Sequence, residues 1–132
     1  MEVDEFGRSP LHYVSAKSPL DLQESETERL IQDGCDPDLQ DKNGWTALHF
    51  AAQECSLAAA RALLAAGAAT DVPNSHGNTP LWVAVFNSKG DGEIIRLLLD
   101  SGADPERENN HGISPFALAE SIAYYDVRKF YN

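Results

Sequence analysis

Residues 44–51 read Gly44-Trp45-Thr46-Ala47-Leu48-His49-Phe50-Ala51, and variants of this stretch recur along the chain. Related segments begin at Gly7, Gly77 and Gly112, and the four glycines are spaced 37, 33 and 35 residues apart. A Ser or Thr stands two residues after each glycine, and in three segments a proline follows it, which is typical of a helix N-terminus. Self-similarity at this spacing predicts a protein of stacked repeats.

A second recurring feature is a Leu-rich stretch that ends at Gly34, Gly67 or Gly102. These stretches predict a second helix in each unit, stopped by a residue that adopts positive φ without strain. The distance from each stop glycine to the next Ser or Thr is twelve residues, whereas the distance from Ser or Thr to the stop glycine is 25, 21 or 23. The insertions therefore fall in the loop between paired helices, around residues 17–20 and 87–92, where they leave the stacking register unchanged.

The period and the segment from Thr46 to Ala51 resemble the ankyrin repeat family, whose signature is T-P-L-H-x-A. The resemblance implies an all-α repeat fold, an α-solenoid of about four helix-loop-helix units with β-turn or hairpin loops. We expect a single domain over residues 1–132, with units at about 3–36, 37–70, 71–104 and 105–132. The signature histidine is kept at His12 and His49, where the resemblance implies an imidazole hydrogen-bonded to neighbouring backbone. Trp82 and Ala117 replace it in the last two units.

The two end units depart from the inner ones. The second helix of the first unit, over residues 24–31, is far more polar than its counterpart over residues 57–64, as a terminal repeat requires. In the last unit we expect a short second helix near residues 126–131. Its Val127, Phe130 and Tyr131 would share one helical face and close the end of the stack.

Charge and composition indicate which classes of partner and which cellular location suit this protein. The 132 residues include 21 acidic and ten basic ones, for a net charge of −11, and 42% of them are hydrophobic. Such a surface repels nucleic acid and anionic lipid and attracts a basic partner. The first five residues lack a targeting pattern, no apolar run is long enough to span a membrane, and Cys35 and Cys55 form no zinc or disulfide pattern. We therefore expect a cytoplasmic protein with reduced thiols.

No catalytic motif is present. The sequence has no GxSxG, HExxH, P-loop or GxGxxG segment, so we predict no catalytic residues, no metal and no cofactor. Glu24, Glu26 and Glu28 are spaced by two, which points successive carboxylates away from one another on a helix. We interpret them as a solvated face.

Three turn residues are candidates for partner contact. Trp45 lies on a turn just before a helix cap, and we interpret it either as an interface anchor or as a side chain packed on a neighbouring loop. His76 and His111 lie beside turn glycines at equivalent positions 35 residues apart, where they either contact a partner or are simply solvated.

The resemblance also implies a binding surface on the loop tips and first helices of the units. Carried over position by position, it comprises sixteen residues: Glu5, Phe6, Arg8, Lys42, Asn43, Trp45, Gln53, Glu54, Ser75, His76, Asn78, Phe86, Asn87, Asn110, His111 and Ile113. A mixture of aromatic and polar side chains is a typical interface composition.

Residues 77–88, 110–116 and 122–130 resemble short bacterial ankyrin proteins associated with polymorphic toxins. That resemblance implies an immunity protein that binds a toxin domain and neutralises it by occlusion. The acidic charge suits a toxin with a basic, nuclease-type surface, and we expect the free protein to be a monomer. The alternative is an intracellular scaffold or adaptor with an endogenous protein partner. An enzyme or ligand-binding protein with a pocket between repeats is a third possibility, which no acid/base constellation in the sequence supports.

Overall fold

The computed structural model describes residues 3–17, 22–88 and 92–128. Its helices are α1 (Pro10–Lys17), α2 (Gln23–Gln32), α3 (Ala47–Gln53), α4 (Leu57–Ala65), α5 (Pro80–Asn87), α6 (Glu93–Asp100) and α7 (Pro115–Arg128). Within those residues there are no strands, which confirms the all-α fold class. The two insertions in the paired-helix loops lie largely outside the described residues.

The helices form two layers. The first helices of the units, α1, α3, α5 and α7, pack successively against one another, while α2, α4 and α6 lie behind them as an outer layer. Each of α1, α3 and α5 also packs on the helix that follows it. This arrangement is a stack of helical hairpins, and it leaves the turns between units along one edge.

The predicted helix signals are present in the structure. The Thr46 hydroxyl accepts a hydrogen bond from His49 N–H at 3.4 Å, and the His49 Nδ1 accepts one from Thr46 N–H at 3.0 Å, which forms a reciprocal capping box. The Thr79 hydroxyl caps α5 by accepting a hydrogen bond from Trp82 N–H at 3.4 Å, with Pro80 at the first helical position. The stop glycines after α2, α4 and α6 have φ values of +102°, +89° and +99°.

The core between the layers is built mainly from leucine and alanine. Leu48, Leu63 and Leu98 are at most 1% exposed, and small side chains such as Ala51 and Ala60 have no exposed surface. Alanine lets neighbouring helices approach closely, so the leucines on either side fill the space between them. No disulfide joins Cys35 and Cys55, and no helix in the described part of the chain is long and apolar enough to cross a membrane.

The last unit differs from the expectation of two short helices. Helix α7 continues unbroken from Pro115 to Arg128, through the region where a turn would separate a first helix from a second. The reason lies in residues 116–125, which contain no Gly or Pro that would stop the helix. The remainder of the predicted short helix, residues 129–131, lies outside the described residues, and so do the side chains of residues 124–128.

Candidate protein-binding surface

Four turns, which we call fingers, project between the helical hairpins at residues 4–8, 41–45, 74–78 and 109–113. In the second finger the Asp41 Oδ1 accepts hydrogen bonds from Asn43 N–H and Trp45 N–H, both at 2.9 Å. The Asp41 N–H in turn donates to the Trp45 carbonyl at 2.8 Å. Asp4, Asn74 and Asn109 occupy the same position in the other fingers and accept the equivalent pair of bonds. An Asp or Asn side chain thus fixes the shape of each finger.

Backbone hydrogen bonds join the fingers into one edge. Lys42 N–H donates to the Phe6 carbonyl at 2.8 Å, Ser75 N–H to the Asn43 carbonyl at 2.9 Å, and Asn110 N–H to the carbonyl of His76 at 3.0 Å. Because each bond links one finger to the next, the finger residues are held in a fixed order along the stack.

Side chains reinforce this register. The Arg8 Nε donates to the Asp41 Oδ2 at 3.0 Å, and the Asp41 side chain is only 1% exposed. The Asn109 Nδ2 donates to the Asn78 Oδ1 at 2.8 Å. In both pairs, the last residue of one finger contacts the turn-fixing residue of the next finger. Arg8 and Asn78 are among the sixteen predicted surface residues, and the structure also engages both in contacts between fingers.

The signature histidines connect helices to fingers. The Nδ1 of His12 accepts from Ser9 N–H at 3.0 Å, so the Nε2 carries the proton and donates to the Trp45 carbonyl at 3.0 Å. His49 makes the equivalent bond to the Asn78 carbonyl at 2.8 Å. Burial lowers the pKa of His49 to about 4. Both imidazoles therefore have the structural role that the family resemblance implied.

An aromatic cluster lies at the first two fingers. The guanidinium carbon of Arg8 lies 5.0 Å from the ring centroids of both Phe6 and Phe50 and 5.8 Å from that of Tyr13. The Trp45 ring is 5.1 Å from that of Phe50. Phe6 is about half exposed at 49%, so this cluster, defined by Phe6, Arg8, Tyr13, Trp45 and Phe50, presents apolar surface to solvent.

Tyr13 and Phe50 are members of the cluster that the sequence analysis did not select. Tyr13 directly follows His12 and Phe50 directly follows His49, so the two aromatic residues are 37 residues apart, like Gly7 and Gly44. This shared spacing is the sequence signal that identifies them as equivalent positions. Trp45 is half-buried and packs against the core as well as against Phe50. Trp45 thus packs on the core and on Phe50 of α3, rather than on a neighbouring loop, and it keeps part of its surface accessible.

A second aromatic pair lies on α5. The Trp82 and Phe86 rings stack with centroids 5.5 Å apart and an interplanar angle of 11°. Phe86 is 62% exposed and is the most exposed large hydrophobic side chain in the described residues. The neighbouring Asn87 is less available, because its Nδ2 donates to the Val83 carbonyl at 2.9 Å.

The structure places twelve of the sixteen predicted surface residues on the fingers and four at the C-terminal ends of α3 and α5. Gln53 and Glu54 follow one another at the end of α3, at the positions equivalent to Phe86 and Asn87. Twelve of the sixteen side chains are exposed: Glu5, Phe6, Lys42, Asn43, Gln53, Glu54, Ser75, His76, Phe86, Asn110, His111 and Ile113. The other four are half-buried: Arg8, Trp45, Asn78 and Asn87.

Metal-binding geometry is not found in this surface. Over residues 3–17, 22–88 and 92–128, no three His, Cys, Asp or Glu side chains come close enough to hold a metal ion. Glu24 and Glu28 of α2 are exposed and Glu26 is half-buried. What the finger edge offers is an extended aromatic and polar surface.

Sequence comparisons agree with this architecture. Residues 23–109 match the family model described as ankyrin repeats in three copies. The chain is 41% identical over 99 residues to a putative ankyrin repeat-containing protein of Treponema pallidum (strain Nichols), covering 74% of this chain and 33% of that protein. It is 35% identical over 95 residues to the E3 ubiquitin-protein ligase KEG of Arabidopsis thaliana, covering 71% of this chain and 6% of the ligase.

A third relative is ankyrin repeat domain-containing protein 53 of Mus musculus, 37% identical over 82 residues, covering 60% of this chain and 16% of that protein. In all three relatives the match spans a third of the protein or less. Ankyrin repeats are protein-binding modules. The family model and these identities show that the chain belongs to the ankyrin repeat family.

Proposed function

We propose that this protein is an immunity protein, which binds a toxin domain with a basic surface and neutralises it by covering its active site or substrate entry. The contact would be made by the fingers and by the exposed side chains of the first helices. No catalysis by this chain is required, because occlusion alone blocks the partner.

The observation that carries the proposal is the exposed aromatic surface on the first finger and at the C-terminal end of α5. Phe6 and Phe86 are 49% and 62% exposed, although large apolar side chains are normally buried in an isolated domain. Both are backed by further rings, Phe6 through Arg8 and Phe50, and Phe86 through Trp82. Supported aromatic side chains surrounded by polar ones are typical of the residues that dominate binding energy at protein interfaces.

Charge supports a basic partner. The net charge of −11 includes the exposed carboxylates of Glu5, which precedes Phe6 in the sequence, and of Glu54 at the end of α3. Opposite charges accelerate association at low ionic strength. A nuclease-type toxin domain, which needs a cationic groove for its substrate, fits this requirement.

The alternative is an adaptor that binds an endogenous protein. Its support comes from the relatives, in which the matching ankyrin segment is a minor part of a longer protein, such as a ubiquitin ligase of Arabidopsis thaliana. The same finger surface would serve this function, with a partner of the host cell in place of a toxin.

Affinity capture followed by an inhibition assay separates the two functions. Tagged protein is incubated with native lysate at low and moderate salt, and the retained proteins are identified by mass spectrometry. A basic polypeptide whose activity falls in proportion to added protein supports the immunity function. A retained cellular protein whose activity is unchanged supports the adaptor function and refutes neutralisation.

Two variants then test the surface. Phe86→Ala should weaken binding of the captured partner by about tenfold or more if the ring is an interface anchor. Arg61→Ala is the matched control, because Arg61 is exposed on α4 in the outer layer, away from the fingers. Equal affinities for Phe86→Ala and the unmodified protein would remove α5 from the proposed interface.

A further inference from the structure

An apolar groove opens at the end of the stack where α5, α6 and α7 meet. It has a volume of about 120 Å³, and the side chains that line it are all apolar, among them Val85, Ile95, Leu99, Phe116 and Ala119. We call it the end groove. None of the residues predicted from the family's binding surface belongs to it.

In the repeat register, no helix of the described residues covers this groove in the way that helices cover the equivalent positions of the inner units. Leu11, Leu48 and Leu81 occupy one equivalent position in the first three units and are 2%, 0% and 1% exposed, because further helices pack over them. Phe116 occupies that position in the last unit and is 57% exposed. Leu99, on the outer helix α6, is 41% exposed. The side chains that a following helix would cover are therefore open to solvent.

The last finger is open on the same side. The carbonyls of Phe6, Asn43 and His76 each accept a backbone N–H from the next finger, whereas no backbone N–H of the described residues donates to the equivalent His111 carbonyl. A Cβ added to Gly112 would meet nothing within 4 Å. This finger edge can still accept a backbone N–H.

Three exposed carboxylates stand beside lining residues of the groove in the sequence: Asp104 and Glu106 flank Pro105, and Glu120 follows Ala119. Asp100 and Arg96 line a separate pocket between α4 and α6. Arg107, the nearest base in sequence to Pro105, donates to the Asp71 carbonyl at 2.9 Å and is thereby directed to the preceding unit. An occupant must combine an apolar face with positive charges.

A second copy of the chain does not meet this requirement. Residues 1–41, which form the opposite end of the stack, hold eleven acidic and three basic residues. Two ends of the same charge repel each other, so head-to-tail stacking is disfavoured.

We propose that the end groove binds a cationic amphipathic helix of a partner protein. Its apolar face would cover Leu99 and also Phe116, whose equivalent leucines in the inner units are covered by helices, and its basic residues would face Asp104, Glu106 and Glu120. Recognition of an amphipathic helix by an apolar groove is a recurrent mode of peptide binding. This surface is separate from the fingers, so the inference stands whether or not the proposed toxin binding is correct.

Fluorescence anisotropy with a labelled model peptide tests the proposal. The probe is a leucine and lysine peptide with helical apolar spacing, and its control has the same composition in a scrambled, non-amphipathic order. We expect saturable binding of the probe and at least about tenfold weaker binding of the scrambled peptide. Equal binding of the two peptides would show attraction by charge alone and would overturn the proposal, as would absence of saturable binding up to about 1 mM probe.

Variants then locate the site. Leu99→Ser and Phe116→Ser should each weaken probe binding by about tenfold. Leu22→Ser, at an exposed apolar side chain just before α2 in the first unit, should leave it unchanged, and far-UV circular dichroism checks that all three variants fold. Equal losses in all three variants would contradict the assignment to the groove.

Two further outcomes identify a different occupant. A dimer in sedimentation equilibrium that Phe116→Ser dissociates would assign the groove to a second copy. A truncation of residues 129–132 that strengthens probe binding about tenfold would assign it to the chain's own last residues. Either result overturns the proposal, and a monomer with unchanged binding after truncation supports it.

Discussion

The contact between adjacent fingers predicts that Gly44→Ala lowers the free energy of unfolding more than Gly112→Ala does. The two glycines occupy the same turn position with nearly the same backbone angle, φ of +78° and +75°. Forcing alanine into the left-handed region costs about 1–2 kcal/mol at either site. That strain is common to both variants, so it cancels when they are compared.

The surroundings of the added methyl group differ. At Gly44 a Cβ would lie 2.9 Å from the Asn74 Cα and from the Ser75 nitrogen, which are backbone atoms of the next finger. At Gly112 nothing lies within 4 Å. Relieving the clash at Gly44 requires the third finger to move away and strains the 2.9 Å hydrogen bond from Ser75 N–H to the Asn43 carbonyl. Loss of that bond adds about 1 kcal/mol.

We therefore expect Gly112→Ala to lower the free energy of unfolding by about 1–2 kcal/mol and Gly44→Ala to lower it by at least about 1 kcal/mol more. The measurement is urea denaturation at constant pH, followed by far-UV circular dichroism and tryptophan fluorescence. Coincident transitions in the two signals are needed for a two-state analysis. Equal losses in the two variants would refute the argument that contact between adjacent fingers holds the stack in register.

Three other predictions follow from the site. His49 has a pKa of about 4 in the folded protein, against 6.5 for the ordinary imidazole. Because the unfolded chain takes up this proton at a higher pH than the folded protein, the free energy of unfolding should fall by about 3 kcal/mol as the pH drops from 6.5 to 4. An NMR titration of the His49 ring should show no protonation above about pH 5, and a midpoint near 6.5 would contradict its burial. Asp41→Asn keeps the turn but removes the ion pair with Arg8, and we expect it to lower the free energy of unfolding in urea by about 1–3 kcal/mol. Asp33→Asn, in the exposed pair with Arg29, should lower it by less than about 0.5 kcal/mol. Similar losses would show that burial of Asp41 is unimportant. Finally, the association rate with the captured partner should fall steeply with added salt while dissociation changes little, and a rate independent of salt would exclude electrostatic attraction.

Much of the fold follows from local chemistry. Thr46 and Thr79 are recognisable as caps because a hydroxyl satisfies an N–H that the helix leaves unpaired, and the structure confirms both. The stop glycines are recognisable for a similar reason, because the turn after each second helix needs a positive φ. These features depend only on residues a few positions apart, and therefore a repeated sequence pattern is enough to locate them.

The candidate site was less predictable. The sixteen surface residues come from the repeat register, which places a residue on a finger but does not say what its side chain contacts. Arg8, for example, is one of the sixteen, and the structure shows that its Nε also pairs with Asp41, 33 residues away. Tyr13 and Phe50 are not among the sixteen predicted residues. They stand at equivalent positions of two successive units, and the stacking of those units brings both rings, together with that of Phe6, around the Arg8 guanidinium.

The sequence by itself determined the period, the helix starts and stops, the acidic charge and the membership of a repeat family. All of these follow from residue types at short, recurring spacings. Only the tertiary structure decided which side chains link the fingers, which aromatic rings remain exposed, and that α7 runs through to Arg128 with Phe116 uncovered. The reason is that burial and pairing depend on what neighbouring units place opposite each residue, and a spacing within one unit carries no information about that.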